Sequence, residues 1–203
     1  MKLYTSIGPN PAIVKMFLNE KGVQIPMEEI DIRGGANRKP DFLKKNPSGT
    51  SPALELSDGT IISEVTAICE YVDEVHPGGN LIGATPNERA QTRMWTRRID
   101  LGICEPMANG FRYSTGLKMF QDRMHCIPEA AEGLKTLAQT KLAWLDEQLQ
   151  GRDFLCGDRF SMADIVLFCM VDFFAGIDQP LNDDLKNVKA WHARVKARPS
   201  AAA

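Results

Sequence analysis

The chain lacks any pair of cysteines at a redox or metal-binding spacing. Its five cysteines, Cys69, Cys104, Cys126, Cys156 and Cys169, form no CxxC and no paired framework. An odd, unpatterned set of this kind reads as reduced thiols in a reducing compartment. Histidine is scarce too: His76, His125 and His192 stand in separate regions without ligand spacing, so no metal site is expected. No GxGxxG opens the first helical segment and no GxxxxGKS/T occurs, so no nucleotide cofactor is expected. No apolar run approaches the ~18 residues of a membrane span. Neither charge dominates: the formal net charge is −2, which argues against a basic nucleic-acid surface. Met1-Lys2-Leu3 leads directly into a strand-like run with no signal-peptide apolar core. These absences describe a soluble, cytoplasmic protein with no nucleic-acid or membrane partner.

What is present is a hydrophobic content of 43%, enough for a proper core, and one dense stretch of structural signals over residues 46–75. Asn46-Pro47-Ser48-Gly49 is turn chemistry, because proline fixes one dihedral and glycine permits a positive one. Ser51-Pro52 stands at the mouth of a strand, where a proline belongs on an edge or in a cis turn. Leu54 and Leu56 alternate, Ser57-Asp58-Gly59 is a hairpin turn, and Thr60-Ile61-Ile62 is the return strand. Ser63-Glu64 then opens a helix with Ala67, Ile68, Tyr71, Val72 and Val75 at helical spacing. A helix N-terminus attracts anions, and Glu64 beside it attracts a cation. A ligand with an amino and a carboxylate group on one carbon suits both. An extended peptide can pair with the backbone at Ser51 if the Ser51-Pro52 bond is cis.

The rest of the chain divides at His76. Before the dense stretch, residues 2–5 read as a strand and residues 12–22 as a helix, with Pro11 near its first position and Gly22 at its end. Residues 27–32 read as a second strand, parallel to the first because a helix crosses between them. Residues 33–45 form a polar, basic loop with a short helix from about Pro40. Residues 77–85, rich in Pro and Gly, are a linker. Beyond it every pattern is helical: 86–110, which Pro106 should kink or end; a short piece at 117–124; 128–149, carrying Leu134, Leu137, Leu142, Leu145 and Leu149; and about 184–197. Between the last two, Ser161 and Asp164 make a capping box before a helix that is apolar nearly all round, which marks the centre of this half.

The ordered set Asn46-Pro47-x-Gly49-x-x-Pro52-x-Leu54, Asp58-Gly59 and Glu64-x-x-Ala67-Ile68-x-x-Tyr71 resembles the glutathione-binding domain of cytosolic glutathione transferases of the bacterial beta, nu and theta kinds. Ser161-x-x-Asp164 before a buried helix, and the ending Lys196-Ala-Arg198-Pro199-Ser200, extend the resemblance over the whole chain. It implies a thioredoxin-like α/β N-terminal domain (1–76) and an all-α C-terminal helical domain (86–203), joined by the linker at 77–85. It also implies a homodimer, glutathione as co-substrate and a detoxifying transferase.

In such a protein the nucleophile is the ligand's own thiol. A free thiol titrates near ~8.5, and lowering that by about two units takes roughly 2.7 kcal/mol. One donor plus a helix N-terminus can supply it. The family's donor comes from the loop after the first strand. That loop has no Cys here, and Tyr4 alternates away from Thr5. Asn10 falls where beta-like members carry their Cys and nu-like members carry Asn, so the resemblance ranks Asn10 first, Ser6 second and Thr5 third. It further assigns Ser51 and Pro52 to the cysteinyl backbone and Glu64 to the γ-glutamyl amino group. Asn37 or Lys39 takes the glycine carboxylate. Val65 stands where the family usually has Ser or Thr and offers a backbone N–H only. An electrophile pocket between the domains would be lined by Met107, Phe111, Arg112 and Tyr113. Three activities remain open: thiolate transfer to small apolar electrophiles, nu-like glutathione-dependent disulfide reduction, and non-catalytic ligand binding.

Overall fold

The computed structural model describes residues 1–202 and separates them into two compact units, Met1–Leu81 and Ile82–Ala202. The expected linker at 77–85 is thus divided between them. The first unit runs β1 (Lys2–Thr5), α1 (Pro9–Lys21), β2 (Met27–Glu29), α2 (Pro40–Lys45), β3 (Ala53–Glu55), β4 (Ile61–Ser63) and α3 (Val65–Val75), with a 3-10 turn at Ala36–Arg38. Its sheet has the order β2-β1-β3-β4. β1 pairs parallel with β2 and antiparallel with β3, and β3 pairs antiparallel with β4. This is the thioredoxin-like mixed sheet.

The period-two alternation of strands sets the two faces. Tyr4 and Ala53, opposite each other in register, form a small cluster with Phe42 of α2. Leu3 and Leu54, also opposite each other, point the other way and have no exposed surface. α2 covers the Tyr4 face, so α1 and α3, which pack on one another and bury Ile13, Phe17, Ile68 and Val72, cover the Leu3 face. At the far ends of these two helices Lys21 Nζ meets Asp73 Oδ1 at 2.7 Å, with both side chains almost fully buried, and it also donates to the Gly78 carbonyl. β2 is shorter than the expected 27–32. Ile30 still donates to the Thr5 carbonyl, but Asp31 then takes the Gly34 N–H and turns the chain away.

The second unit contains α4 (Pro86–Ile99), α5 (Glu105–Arg112), α6 (Leu117–Phe120), α7 (Ala131–Gln148), α8 (Met162–Ala175) and α9 (Lys186–Lys196). Pro106 neither ends nor breaks the first long helix. Asp100–Cys104 winds as a π segment just before it, and the chain continues helically to Arg112. Pro106 has no N–H for the carbonyl one turn back, and a widened turn absorbs that defect. Pro128 opens a 3-10 turn rather than α7 itself. On α7, Leu137 is exposed, and the buried face is carried by Ala131, Ala138, Leu142 and Leu145. The small Ala131 and Ala138 fit the close packing of α7 on α5.

α8 lies at the centre of this unit, in contact with α4, α5 and α9. Asp164, with no exposed surface, accepts from Ser161 N–H at 2.9 Å and Ser161 Oγ at 3.0 Å. It also accepts from Leu155 N–H and from Trp191 Nε1 of α9, both at 2.9 Å. Burial pushes its carboxyl up, and these donors act against that. The capping residue therefore also pins the preceding loop and the last long helix. A cap alone contributes about 1 kcal/mol. Asp164→Ala would remove the acceptor of all four donors, at about 1–3 kcal/mol for each one left buried without a partner. We expect it to lower the unfolding free energy by at least ~3 kcal/mol in urea titration, and Trp191→Phe, which removes one donor of several, by only ~1 kcal/mol.

A second prediction concerns acid. Burial holds the His192 imidazole below its ordinary range, against the opposing pull of Asp172, whose Oδ1 lies 3.1 Å from Nε2. The unfolded chain takes up this proton near pH ~6.5, and the folded chain does so only at lower pH. Stability is therefore complete above ~6.5 and falls as the pH drops below it. His192→Gln should flatten the decline of the urea midpoint between about pH 6.5 and pH 5. An unchanged slope would contradict the assignment.

Candidate functional site

Topology gathers one end of the sheet. β4 and β1 both run antiparallel to β3, so the C-terminal ends of β1 and β4 and the start of β3 lie together. α1 follows β1, α3 follows β4, and the Ser51-Pro52 bond, which is cis, precedes β3. Thr5, Ser6, Asn10, Ser51, Pro52, Glu64 and Val65 are thereby brought to one edge.

At the start of α1, Gly8 is the N-cap, and Pro9, Asn10 and Pro11 are the first three helical residues. Two of the amides normally left free at a helix N-terminus are therefore absent, and the N–H groups of Gly8 and Asn10 remain. Asn10 is half-buried. Ser6 is only 4% exposed and donates its hydroxyl to Ser51 Oγ at 2.9 Å, with the Ile7 carbonyl at 3.2 Å. Thr5 is buried, and its Oγ1 has no partner among the described residues. Tyr4 faces away. Its hydroxyl donates to Glu55 and accepts from Lys45 Nζ at 2.6 Å, and these contacts hold Glu55 below the usual carboxylate range.

Glu64, immediately before α3, has a φ of 73°, a conformation that glycine favours and other residues adopt only under strain. The Glu64 side chain caps nothing, is exposed, and has no partner among the described residues. The other long helices differ. α4 and α8 carry capping boxes, α9 receives Asp146 Oδ1 on its Val188 N–H, and α7 is entered through a 3-10 turn. The first turns of α1 and α3 have no such partner among the described residues.

The turn before Ser51 is held from two sides. Asn46, 2% exposed, donates Nδ2 to the Thr50 carbonyl at 2.8 Å and accepts Ser48 Oγ at 2.7 Å. Asn37 donates Nδ2 to the Gly49 carbonyl at 2.6 Å and is buried. Gly49 has a φ of 60°, and a Cβ there would come within 3.0 Å of the Asn37 carbonyl oxygen. Asn37 thus serves the turn, whereas Lys39, exposed and with no partner among the described residues, has its ammonium available. The signal for Asn46 was its place at the head of a turn sequence; nothing local in the sequence marks Asn37 as its brace.

The four residues expected at the electrophile all belong to the helical unit. Met107 has no exposed surface, and its carbonyl accepts Gln179 Nε2 at 2.8 Å, so it is a core residue without a face to offer a ligand. Phe111 packs on Phe120 and Phe174, with ring centroids 6.1 and 5.7 Å away. Arg112 pairs with Glu105 at 3.2 Å and with Asn109 at 2.8 Å. Tyr113 ends α5, half-buried. Among the described residues no three His, Cys, Asp or Glu side chains gather as metal ligands, and no helix is long and apolar enough to cross a membrane.

The strain at Glu64 makes a prediction. Glu64→Gly should raise the unfolding free energy by about 1 kcal/mol, because glycine relieves the positive φ. Glu64→Ala should show no such gain. Equal stability of the two variants in urea would mean that Glu64 is unstrained.

Comparison with known proteins agrees with this geometry. The model of the glutathione S-transferase N-terminal domain matches residues 8–75, and that of the C-terminal domain matches residues 128–194. Glutathione S-transferase 2 of Saccharomyces cerevisiae is 34% identical over 203 aligned residues, covering 97% of this chain and 85% of that protein. A glutathione S-transferase domain-containing protein of Marinobacter aquaeolei superposes with a TM-score of 0.93 at 38% identity, over 98% of this chain and 99% of that one. Human elongation factor 1-gamma is 35% identical over 136 residues, which are 67% of this chain and 29% of that protein. With both domain models matched in order and a transferase relative similar over nearly its whole length, the chain belongs to the glutathione S-transferase family.

Proposed function

We propose that this protein binds glutathione at the sheet end of its first unit and activates the thiol as a thiolate for attack on small apolar electrophiles. The observation that carries the proposal is the convergence of unused polar groups there: the amides at the starts of α1 and α3, the cis Ser51-Pro52 segment and the unpaired Glu64 carboxylate. The γ-glutamyl carboxylate takes the amides of Val65 and Thr66 at the start of α3, and Glu64 takes the amino group. The cysteinyl backbone pairs with Ser51. Lys39, rather than Asn37, reaches the glycine carboxylate. The Gly8 and Asn10 amides and the Asn10 side chain face the sulfur, where a helix dipole and N–H donors lower a thiol pKa. The family reading also carries a homodimer and a cytoplasmic location.

Glutathione-dependent disulfide reduction is the second reading. It is favoured by Asn10 standing where a redox cysteine would, in a loop that has no thiol of its own. The similarity to elongation factor 1-gamma, a protein not named as a transferase, favours a third, non-catalytic role. Calorimetric titration with glutathione, followed by conjugation assays on aryl halides, epoxides and enals, tests all three. We expect binding, turnover, and a loss of turnover of about tenfold or more in Asn10→Ala. Binding without conjugation, but with reduction of hydroxyethyl disulfide, would replace the first reading by the second. Binding with neither activity would leave the third. No binding of glutathione would overturn the proposal.

A further inference from the structure

We propose that the hydroxyl of Ser51 is a further side-chain donor to the ligand's sulfur, beside Asn10, and that Ser6 is a positioning residue acting through it. This rests on the glutathione reading above and deepens it. The antiparallel register of β1 and β3 sets Leu3 against Leu54 and Tyr4 against Ala53. Continued past the strand ends, it sets Thr5 against Pro52 and Ser6 against Ser51. The two serines are therefore cross-strand neighbours at the mouth of the sheet, one beside the cis prolyl bond and the other at the entrance to α1.

The direction of their hydrogen bond decides between them. A hydroxyl has one proton. The Ser6 proton is directed to Ser51 Oγ at 2.9 Å, with the Ile7 carbonyl at 3.2 Å as its other acceptor. Ser6 is also covered, at 4% exposure. To donate to a ligand it would have to abandon Ser51 and reach out from beneath the surface. Ser51 is half-exposed, accepts the Ser6 proton, and has no acceptor for its own among the described residues. A hydroxyl that already accepts one hydrogen bond donates a stronger second one. A thiolate can only accept, so the chain runs head to tail from Ser6 through Ser51 to sulfur. No bond is made or broken in this arrangement, and the thiol proton leaves to solvent.

The test is the pKa of the bound glutathione thiol, followed by ultraviolet difference titration, together with the affinities for glutathione and S-methylglutathione. Ser51→Val and Ser51→Thr have nearly the same shape and differ in the hydroxyl. We expect Ser51→Val to raise the bound thiol pKa by about one unit and Ser51→Thr to keep it near the wild-type value. S-methylglutathione has no thiolate, and its affinity should stay within about twofold in both variants. Ser6→Ala should raise the pKa less than Ser51→Val, and the double variant should match Ser51→Val alone, because Ser6 has no path to sulfur except through Ser51. A purely structural role would weaken both ligands equally. An unmoved pKa in Ser51→Val with glutathione still bound would overturn the proposal and leave the glutathione reading standing. So would a Ser6→Ala effect that persists undiminished in the double variant. Failure of the wild-type protein to bind glutathione would remove both, and the wild-type titration alone reveals it.

Discussion

The antiparallel pairing of β1 with β3 is the constraint on which the first unit depends. A slip of one residue would turn every side chain of a strand to the opposite face. In the register that forms, Leu3 and Leu54 meet in the core, and Tyr4 turns to the outer face. There it meets Phe42, Lys45 and Glu55 and is removed from the ligand end. The same register brings Ser6 to Ser51. The turn at 46–50, braced by Asn37 and Asn46, delivers the chain to that pairing at a fixed height. Packing, the turning of Tyr4 to the outer face, and placement of the hydroxyl pair thus follow from a single geometric choice.

The two units treat their helix ends in opposite ways. In the helical unit the starts of α4, α8 and α9 are served by side chains. Thr85 and Glu88 close the start of α4, Asp146 serves α9, and Asp164 gathers four donors from α9, the preceding loop and its own cap. In the first unit, α1 and α3 begin with free amides, two prolines and a strained glutamate. Uncapped helix starts weaken a fold, and strain at a single residue costs on the order of 1–3 kcal/mol. A buried pair, Lys21 and Asp73, ties the other ends of those same helices together. The first unit is therefore fastened at one end of these helices and left unsatisfied at the other, where the glutathione site is proposed.

Much of this was legible in the sequence because it is local. Turn residues, the cis-compatible Ser51-Pro52, the Asp58-Gly59 hairpin and the Ser161–Asp164 cap announce themselves within a few positions, and they fix the order of elements. What was not legible depends on partners distant in sequence. The bond between Ser6 and Ser51 joins residues 45 positions apart, and no local pattern marks it. The bond from Asn37 to the Gly49 carbonyl spans 12 positions and has no local signal either. The pattern around Met107 says only that it is apolar; its full burial is set by the helices packed on α5. The π segment before Pro106 and the exchange of Leu137 for Ala138 on the buried face of α7 have the same origin. The positive φ at Glu64 has no sequence mark at all, since the residue there is not glycine.

The most direct test of the central claim is amide chemical-shift mapping on addition of glutathione. If the unused donors at the end of the sheet form the site, the largest perturbations fall on the N–H groups of Gly8, Asn10, Ser51, Val65 and Thr66. The outer face around Tyr4, Lys45 and Glu55 stays still. An unperturbed spectrum, or shifts confined to that outer face or to the helical unit, would contradict the account.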